Sequence, residues 1–296
     1  MAGAVMNTDP VLVGVDGSES AAAAARWAAR EAVLRHVPLT VLTAFGFADG
    51  SFAGGRYPPV DWLEAKEAVA EDLLRTVRED LAAVEPGVRI AFETSPAGPE
   101  AALREASEKA QLLVLGAPTG TLSGLLAGSP DIDLAAHARC PVVVVRGSVR
   151  PDGPVVVGVD GSPLSDAAVA CAFEEAAVHG VPLVAVHAWL DADRARLFGD
   201  RDFPFEAREA EHRLLAQRLA GYGSLYPDVR VEQIVEQDRP RDRLLEWSDR
   251  ASLVVLGSRG RGGFTGMVLG STSHALLHHA GCPVLVVRSA AARRGR

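Results

Sequence analysis

The chain has 296 residues, 48% hydrophobic, 23% charged and only 5% aromatic, with a formal net charge of −8. That length suits two ordinary domains or one large one, and the acidic balance argues against broad binding to nucleic acid or to an anionic membrane. The opening MAGAVMNTDP lacks the basic start and apolar run of a signal peptide, and no stretch reaches the ~18 uninterrupted apolar residues of a membrane span, so a cytoplasmic setting is expected.

In chain order, the first strand-like run is VLVGVDGSESA from Val11. HVPLTVLTAF (36–45) carries a second strand, and GFADGSFAGGRYPPVDW (46–62) reads as a glycine- and proline-rich surface loop. LLVLG (112–116) is another apolar strand, and CPVVVVR (140–146) ends the first copy. Every one of these strands returns. VVVGVDGSPLS begins at Val155 and GVPLVAVHAW at Gly180, both 144 positions on; LVVLG returns 141 and CPVLVVR 142 positions on. A duplicated domain follows, with boundaries expected near 8–147 and 153–290 and a linker in GSVRPDGP (147–154).

Within the second copy, Val155–Val159 is a continuous β-branched run, as expected of a strand buried on both faces. A helix is predicted over Ser165–His179, a strand over Leu183–His187, a helix over Phe205–Leu219 and an alternating strand over Val229–Val235. Then come a helix over Arg241–Ser248, a strand over Leu253–Leu256, a helix near Ser271–His279 and a strand over Val284–Val287. This alternation predicts an α/β fold of two tandem doubly wound domains, each a five-stranded parallel sheet flanked by helices, with the strand order taken as 3-2-1-4-5. The closing AARRGR is basic and reads as a solvated tail. Cys140 and Cys282 precede prolines at strand starts and read as core; Cys171 joins no C-x-x-C or zinc spacing.

Such sheets bind ligands where strand order reverses, beyond the strand carboxyl ends. In the second copy that crevice lies between Asp160, after the first strand, and the stretch LGSRGRGGFTGMVLGSTSHAL (256–276), which holds six glycines. Gly257 and Gly260 let backbone approach a ligand. Amides in such turns make an anion nest, and Gly270-Ser271-Thr272-Ser273 opens a helix whose free N–H groups suit phosphate. The Ser271 and Ser273 hydroxyls can add hydrogen bonds, and Arg259 and Arg261 supply counter-charge. Asp160 suits a ribose hydroxyl or an adenine amino group, so the parts describe a nucleotide lying across the crevice. Glycines after a strand can also simply make a turn. The loop is not a P-loop, because no G-x-x-x-x-G-K-[ST] occurs, and no G-x-G-x-x-G follows the first strand.

VVVGVDGS, LVVLGSRGRGGFTGMVLGSTS and CPVLVVR resemble the universal stress protein family, and the duplication resembles its tandem members, over about Val11 to Arg288. The most specific match is G-x2-G-x9-G-[ST], the signature of the ATP-binding branch, met by Gly257, Gly260, Gly270 and Ser271. The resemblance implies an α/β sandwich with bound ATP, with Mg²⁺ as an accompanying ion, and a regulatory role under stress. It implies that Asp160 faces the adenosine, that Gly158 and Val159 line the adenine side, and that Ala188 touches adenine through its backbone. Gly257, Gly260, Gly270, Ser271 and Ser273 would hold ribose and phosphates. It also implies domain pairing through the last strands, Val142–Val145 and Val284–Val287; a homodimer and an unknown protein partner remain open.

The first copy departs from the motif. Gly14, Val15, Asp16 and Ala44 keep the adenosine side and Gly116 matches Gly257, but Thr119 stands in place of Gly260 and Gly120 comes one residue late. Gly128 follows one residue early, and after Ser129 come Pro130 and Asp131, which would remove an amide and set a carboxylate against phosphate. A degenerate nucleotide loop is expected there. No catalytic residue is assigned. His274 and His278 have i, i+4 spacing, but no carboxylate completes a metal motif, and they read as surface or capping groups. The Asp-Gly-Ser after each first strand reads as a turn and N-cap rather than a serine nucleophile. Three functions follow: a nucleotide-binding regulator, a slow ATPase or phosphotransferase, and a nucleotide-independent scaffold. The missing parts of a phosphoryl-transfer centre make catalysis the weaker reading.

Overall fold

A computed structural model describes residues 8–46, 60–118, 130–189, 205–260 and 269–288, with only the backbone at 60, 130–132 and 205–208. The chain divides into two compact units, Met1–Val145 and Arg146–Arg296. Each is α/β, with parallel strands flanked by helices.

In the first unit, β1 (Val11–Gly14) lies between β2 (Leu39–Ala44) and β4 (Leu112–Gly116), both parallel to it. β3 (Ile90–Ser95) extends the sheet beyond β2, and β5 (Val142–Val145) beyond β4, so the order is β3-β2-β1-β4-β5. The apolar runs are covered on both faces: Val11, Val13, Leu113, Val114 and Val143 are wholly buried. β3 alternates between half-buried and exposed residues, as an outer strand can. Helix α1 (Glu19–Leu34) packs beside α2 (Val60–Val84), and α3 (Pro99–Ala106) beside α4 (Pro130–His137). α1 turns an alanine face to the sheet, with Ala24, Ala25, Ala28 and Ala32 buried. Small side chains let it lie close to β1 and β4.

The second unit repeats the plan. β6 (Val155–Gly158) is central, flanked by β7 (Leu183–Ala188) and β9 (Leu253–Gly257), with β8 (Val231–Glu236) and β10 (Val284–Val287) outside them. Its helices are α5 (Pro163–His179), α6 (Phe205–Leu219), α7 (Tyr222–Leu225), α8 (Pro240–Ser248) and α9 (Ser271–His279). α5 and α8 begin one or two residues earlier than the apolar pattern predicts, because Pro163 and Pro240 take the first helical turn, where a missing N–H costs nothing. β8 begins at Val231 rather than Val229, since the Val229 N–H closes a turn on the Tyr226 carbonyl. The pattern gave no sign of α7; it follows Gly221 at φ +92°, and its Tyr222 ring stacks on buried Phe173 at 4.8 Å.

The same device closes both central strands. The Asp16 and Asp160 carboxylates accept the Ser18 and Ser162 N–H groups, each at 2.9 Å. Gly17 and Gly161 turn the chain at φ +88° and +78°, where a Cβ is strained. The Ser18 and Ser162 hydroxyls then cap α1 and α5. The Asp-Gly-Ser serines are therefore caps, as expected. Among the described residues, no helix is long and apolar enough to cross a membrane.

Candidate functional site

The second unit holds a cavity of about 530 Å³ beyond the carboxyl ends of β6 and β9, within the ~300–1,000 Å³ of small-molecule sites. The end of β6 contributes Gly158, Val159 and Asp160, and the end of β7 contributes Ala188. The turn after β9 contributes Gly257, Arg259 and Gly260, and the start of α9 contributes Gly270, Ser271 and Ser273. Ten of the eleven residues expected in this unit thus line one cavity; the eleventh, Arg261, lies outside the described residues.

In the first unit, Gly14 ends β1 and Val15 and Asp16 follow it, Ala44 ends β2 and Gly116 ends β4. Gly120, Gly128, Ser129 and Thr119 lie outside the described residues, as do the side chains of Pro130 and Asp131. The described frame matches that of the second unit. A Cβ at Gly14 would lie 2.9 Å from Leu103, and one at Gly158 would lie 2.7 Å from Leu256 and 3.0 Å from Leu244.

The three motif glycines have different reasons to be glycine. A Cβ on Gly257 would sit 3.0 Å from the Leu164 backbone, and its counterpart Gly116 would meet the Ser20 backbone at 2.4 Å. Both are demanded by a helix start packed on the strand end. A Cβ on Gly260 would lie 2.5 Å from Asp160 Oδ2, so this glycine admits the carboxylate. Gly270 differs. Its φ is −73°, and a Cβ there would meet Arg259 Cα at 3.4 Å, an ordinary contact. Among the described residues, packing does not require a glycine at this position, and Gly270 borders the cavity.

Gly270 is also the N-cap of α9, and among the described residues no side chain caps that helix. The Gly270 N–H is taken by the Ser258 carbonyl at 2.8 Å, which folds the glycine against the turn after β9. The first turn of α9 opens on the cavity through Ser271, Thr272 and Ser273. A helix end of this kind favours an anion by ~0.3–1 kcal/mol when exposed, and up to ~2 kcal/mol when partly buried. The Ser273 hydroxyl was expected to serve as a phosphate donor. Its proton is instead donated to the Gly257 carbonyl at 2.8 Å, in a buried position that ties α9 to the end of β9. Exposed Arg259 borders the same end.

The other end is less polar. Val186, Trp189, Pro240 and Leu244 join Val159 and Ala188 there. Pro240 and Leu244 come from α8, which meets β6 and β7; their separation from the glycine motif left no local signal for them. Ser165, also missed, is buried, and its hydroxyl accepts the Asp160 N–H at 3.1 Å. His187 was read only as a strand residue. It is 1% exposed; its Nδ1 lies 2.6 Å from the Val159 carbonyl and its Nε2 2.7 Å from Glu211 Oε2. Since the carbonyl can only accept, Nδ1 is the donor to it, and Nε2 faces the Glu211 carboxylate. An acidic side chain, an apolar wall and the start of α9 thus line one volume.

His274 and His278 lie ring to ring at 4.5 Å on α9. Cys140 and Cys282 are buried as expected, and burial pushes the Cys282 thiol up to about 12, which keeps it neutral and unreactive near neutral pH.

Comparison with known proteins agrees with the repeated plan. The model of the universal stress protein family matches residues 7–146 and again 153–288. A universal stress protein of Mycobacterium tuberculosis is 42% identical over 299 residues, covering 94% of this chain and 96% of its own. One of Mycolicibacterium smegmatis is 40% identical over 287 residues, with the same coverage of both chains. Among solved structures, a universal stress protein from Archaeoglobus fulgidus superposes with a TM-score of 0.70 at 20% identity, covering 95% of this chain and 98% of that one. With both halves of the sequence matched by one family model and relatives of similar length above 40% identity, the chain belongs to the universal stress protein family.

Proposed function

We propose that the second unit binds ATP in the cavity between β6 and β9, and that occupancy of this site controls the conformation or partner choice of a stress-response regulatory protein. Gly270 carries this reading. Its backbone could bear a side chain and, among the described residues, its neighbours make only ordinary contacts with one, which supports a ligand in the cavity that it borders. The uncapped start of α9 makes that occupant an anion. In this reading the triphosphate lies against Gly260, Gly270, Ser271 and Arg259, with Arg261 adding charge. Asp160 accepts ribose hydroxyls, and the base lies against Val159 and Ala188. Mg²⁺ would be held chiefly by the phosphates and water, as is usual for this ion.

The first unit keeps the Asp-Gly-Ser turn and the strand-end glycine, but its sequence lacks the motif's second glycine and places Pro130 and Asp131 at the helix start. One nucleotide per chain follows. The test is titration of nucleotide-free protein with Mg-ATP, with Gly270→Glu alongside. Saturable binding in the parent and none in a folded Gly270→Glu variant supports the site; equal binding in both overturns it. Phosphate release during the titration would move the reading towards a slow ATPase.

A further inference from the structure

Asp160 faces the cavity from a short turn, and the structure shows what holds that turn. The Val159 N–H donates to the Val186 carbonyl at 2.9 Å. The Val159 carbonyl accepts from His187 Nδ1 at 2.6 Å, and Nε2 of the same ring meets Glu211 of α6. On the other side of Asp160, the Gly161 carbonyl accepts from Arg218 Nη2 at 3.0 Å. Arg218 Nη1 reaches Asp166 of α5 at 2.7 Å. Both carbonyls that flank Asp160 are therefore held through one helix, Phe205–Leu219.

Glu211 and Arg218 are seven residues apart, two helical turns, so they share a face and lie ~10 Å apart along the axis. Leu215 lies between them on that face, and of residues 209–219 only Leu215 and Leu219 are buried. With two apolar anchors among these described side chains, the two polar contacts contribute to how this stretch of the helix is seated.

The first unit provides an internal comparison. Its helix in the same place, α2, buries an apolar stripe of Ala70, Leu74, Val77 and Leu81. β2 carries Thr43 where β7 carries His187, and α1 carries Ala22 where α5 carries Asp166. The fold is thus built without the polar clamp, and the clamp occurs in the unit that keeps the intact glycine motif.

We infer that Glu211 and Arg218 are positioning residues for the nucleotide site: through His187 and Gly161 they clamp the Asp160 turn, so that nucleotide occupancy and the seating of helix Phe205–Leu219 are coupled. This rests on the ATP-binding reading above and adds the element through which occupancy reaches the surface. Coupling is reciprocal: a ligand that orders the turn tightens the helix, and a loosened helix weakens the ligand by the same factor.

The experiment uses the full, nucleotide-free chain with Glu211→Ala, Arg218→Ala and Arg218→Lys. Mg-ATP affinity is measured by calorimetry, and amide exchange over 205–219 is followed with and without nucleotide. The alanine variants are expected to bind ATP about 5- to 150-fold more weakly, the range typical of coupled sites. Nucleotide is expected to slow exchange over 205–219 in the parent and much less in the alanine variants. Arg218→Lys, which keeps the charge but not the fork that spans Gly161 and Asp166, should fall between; it also serves if an alanine variant does not fold. Affinities within twofold of the parent, or exchange in the parent that is indifferent to nucleotide, overturn the inference while leaving ATP binding intact. A parent that takes up no nucleotide overturns both.

Discussion

Replacing Gly270 separates a glycine that serves the fold from one that serves a ligand. At φ −73° the backbone suits any residue, and among the described residues a new Cβ meets Arg259 Cα at 3.4 Å, the Ser258 carbonyl at 3.6 Å and the Gly260 nitrogen at 3.7 Å, all ordinary contacts. Without nucleotide, Gly270→Ser should therefore be at least as stable as the parent, because serine caps a helix as well as or better than glycine by a few tenths of a kcal/mol. Gly257→Ala, whose Cβ would press on the Leu164 backbone at 3.0 Å, should be clearly less stable. With ATP the order reverses for Gly270. The new hydroxyl takes the helix N–H that the phosphate needs, and up to ~2 kcal/mol of helix-end stabilisation is lost, about thirtyfold in Kd. Gly270→Glu adds a like charge beside the phosphates, worth another ~1–4 kcal/mol at contact distance, so binding should fall by roughly tenfold at the least and by about a thousandfold in the middle of that range. Melting without ligand and calorimetry with Mg-ATP give the two halves of the test. The reasoning is refuted if Gly270→Ser destabilises the ligand-free chain as much as Gly257→Ala does, or if folded Gly270→Glu binds ATP like the parent.

Other expectations can be read in the same assays. Gly17→Ala and Gly161→Ala each force a Cβ into left-handed backbone, at φ +88° and +78°, and should each cost about 1–2 kcal/mol of stability. Only Gly161→Ala should also weaken ATP binding; an equal loss from Gly17→Ala would place a nucleotide in the first unit. Ser273→Ala should lower stability without any ligand, by roughly 1–3 kcal/mol for the unpaired Gly257 carbonyl. Ser271→Ala, at an exposed cavity position, should change affinity alone. Cys282 gives a pH dependence. Burial raises its thiol from 9.0 to about 12, so the unfolded chain ionises first. Its stabilising contribution is full below pH 9 and is lost as pH rises towards 12. Denaturant midpoints should fall over that window, and Cys282→Ala should flatten the fall; an equally steep fall in the variant would contradict the assignment.

What the sequence revealed and what it hid divide along range. Continuous β-branched runs such as Val155–Val157 are buried on both faces, and that local fact alone located the central strands. α6 and α9 have the predicted bounds because their flanking residues signal their ends locally. The alternation gave the α/β class, and placing Asp160 and the glycine turn on one crevice took in addition an assumed strand order, which alternation alone does not set. The contacts that hold Asp160 span 24 residues from His187 to Glu211 and 57 from Gly161 to Arg218, and no periodicity records them. Ser273 shows the opposite limit. Its place by the cavity was legible, but the fate of its proton depended on where the Gly257 carbonyl points. The glycine motif, too, mixes three causes that spacing cannot separate: helix packing at Gly257, admission of a carboxylate at Gly260 and a place at the cavity border at Gly270.

The most direct test of the central claim is to denature freshly purified protein and quantify the released nucleotide by mass spectrometry, with Mg-ATP added back to stripped protein. The account predicts about one ATP per chain, lost in Gly270→Glu. Two per chain would show that the altered loop of the first unit still binds, and none, with no uptake on addition, would reduce the glycines of the second unit to a turn.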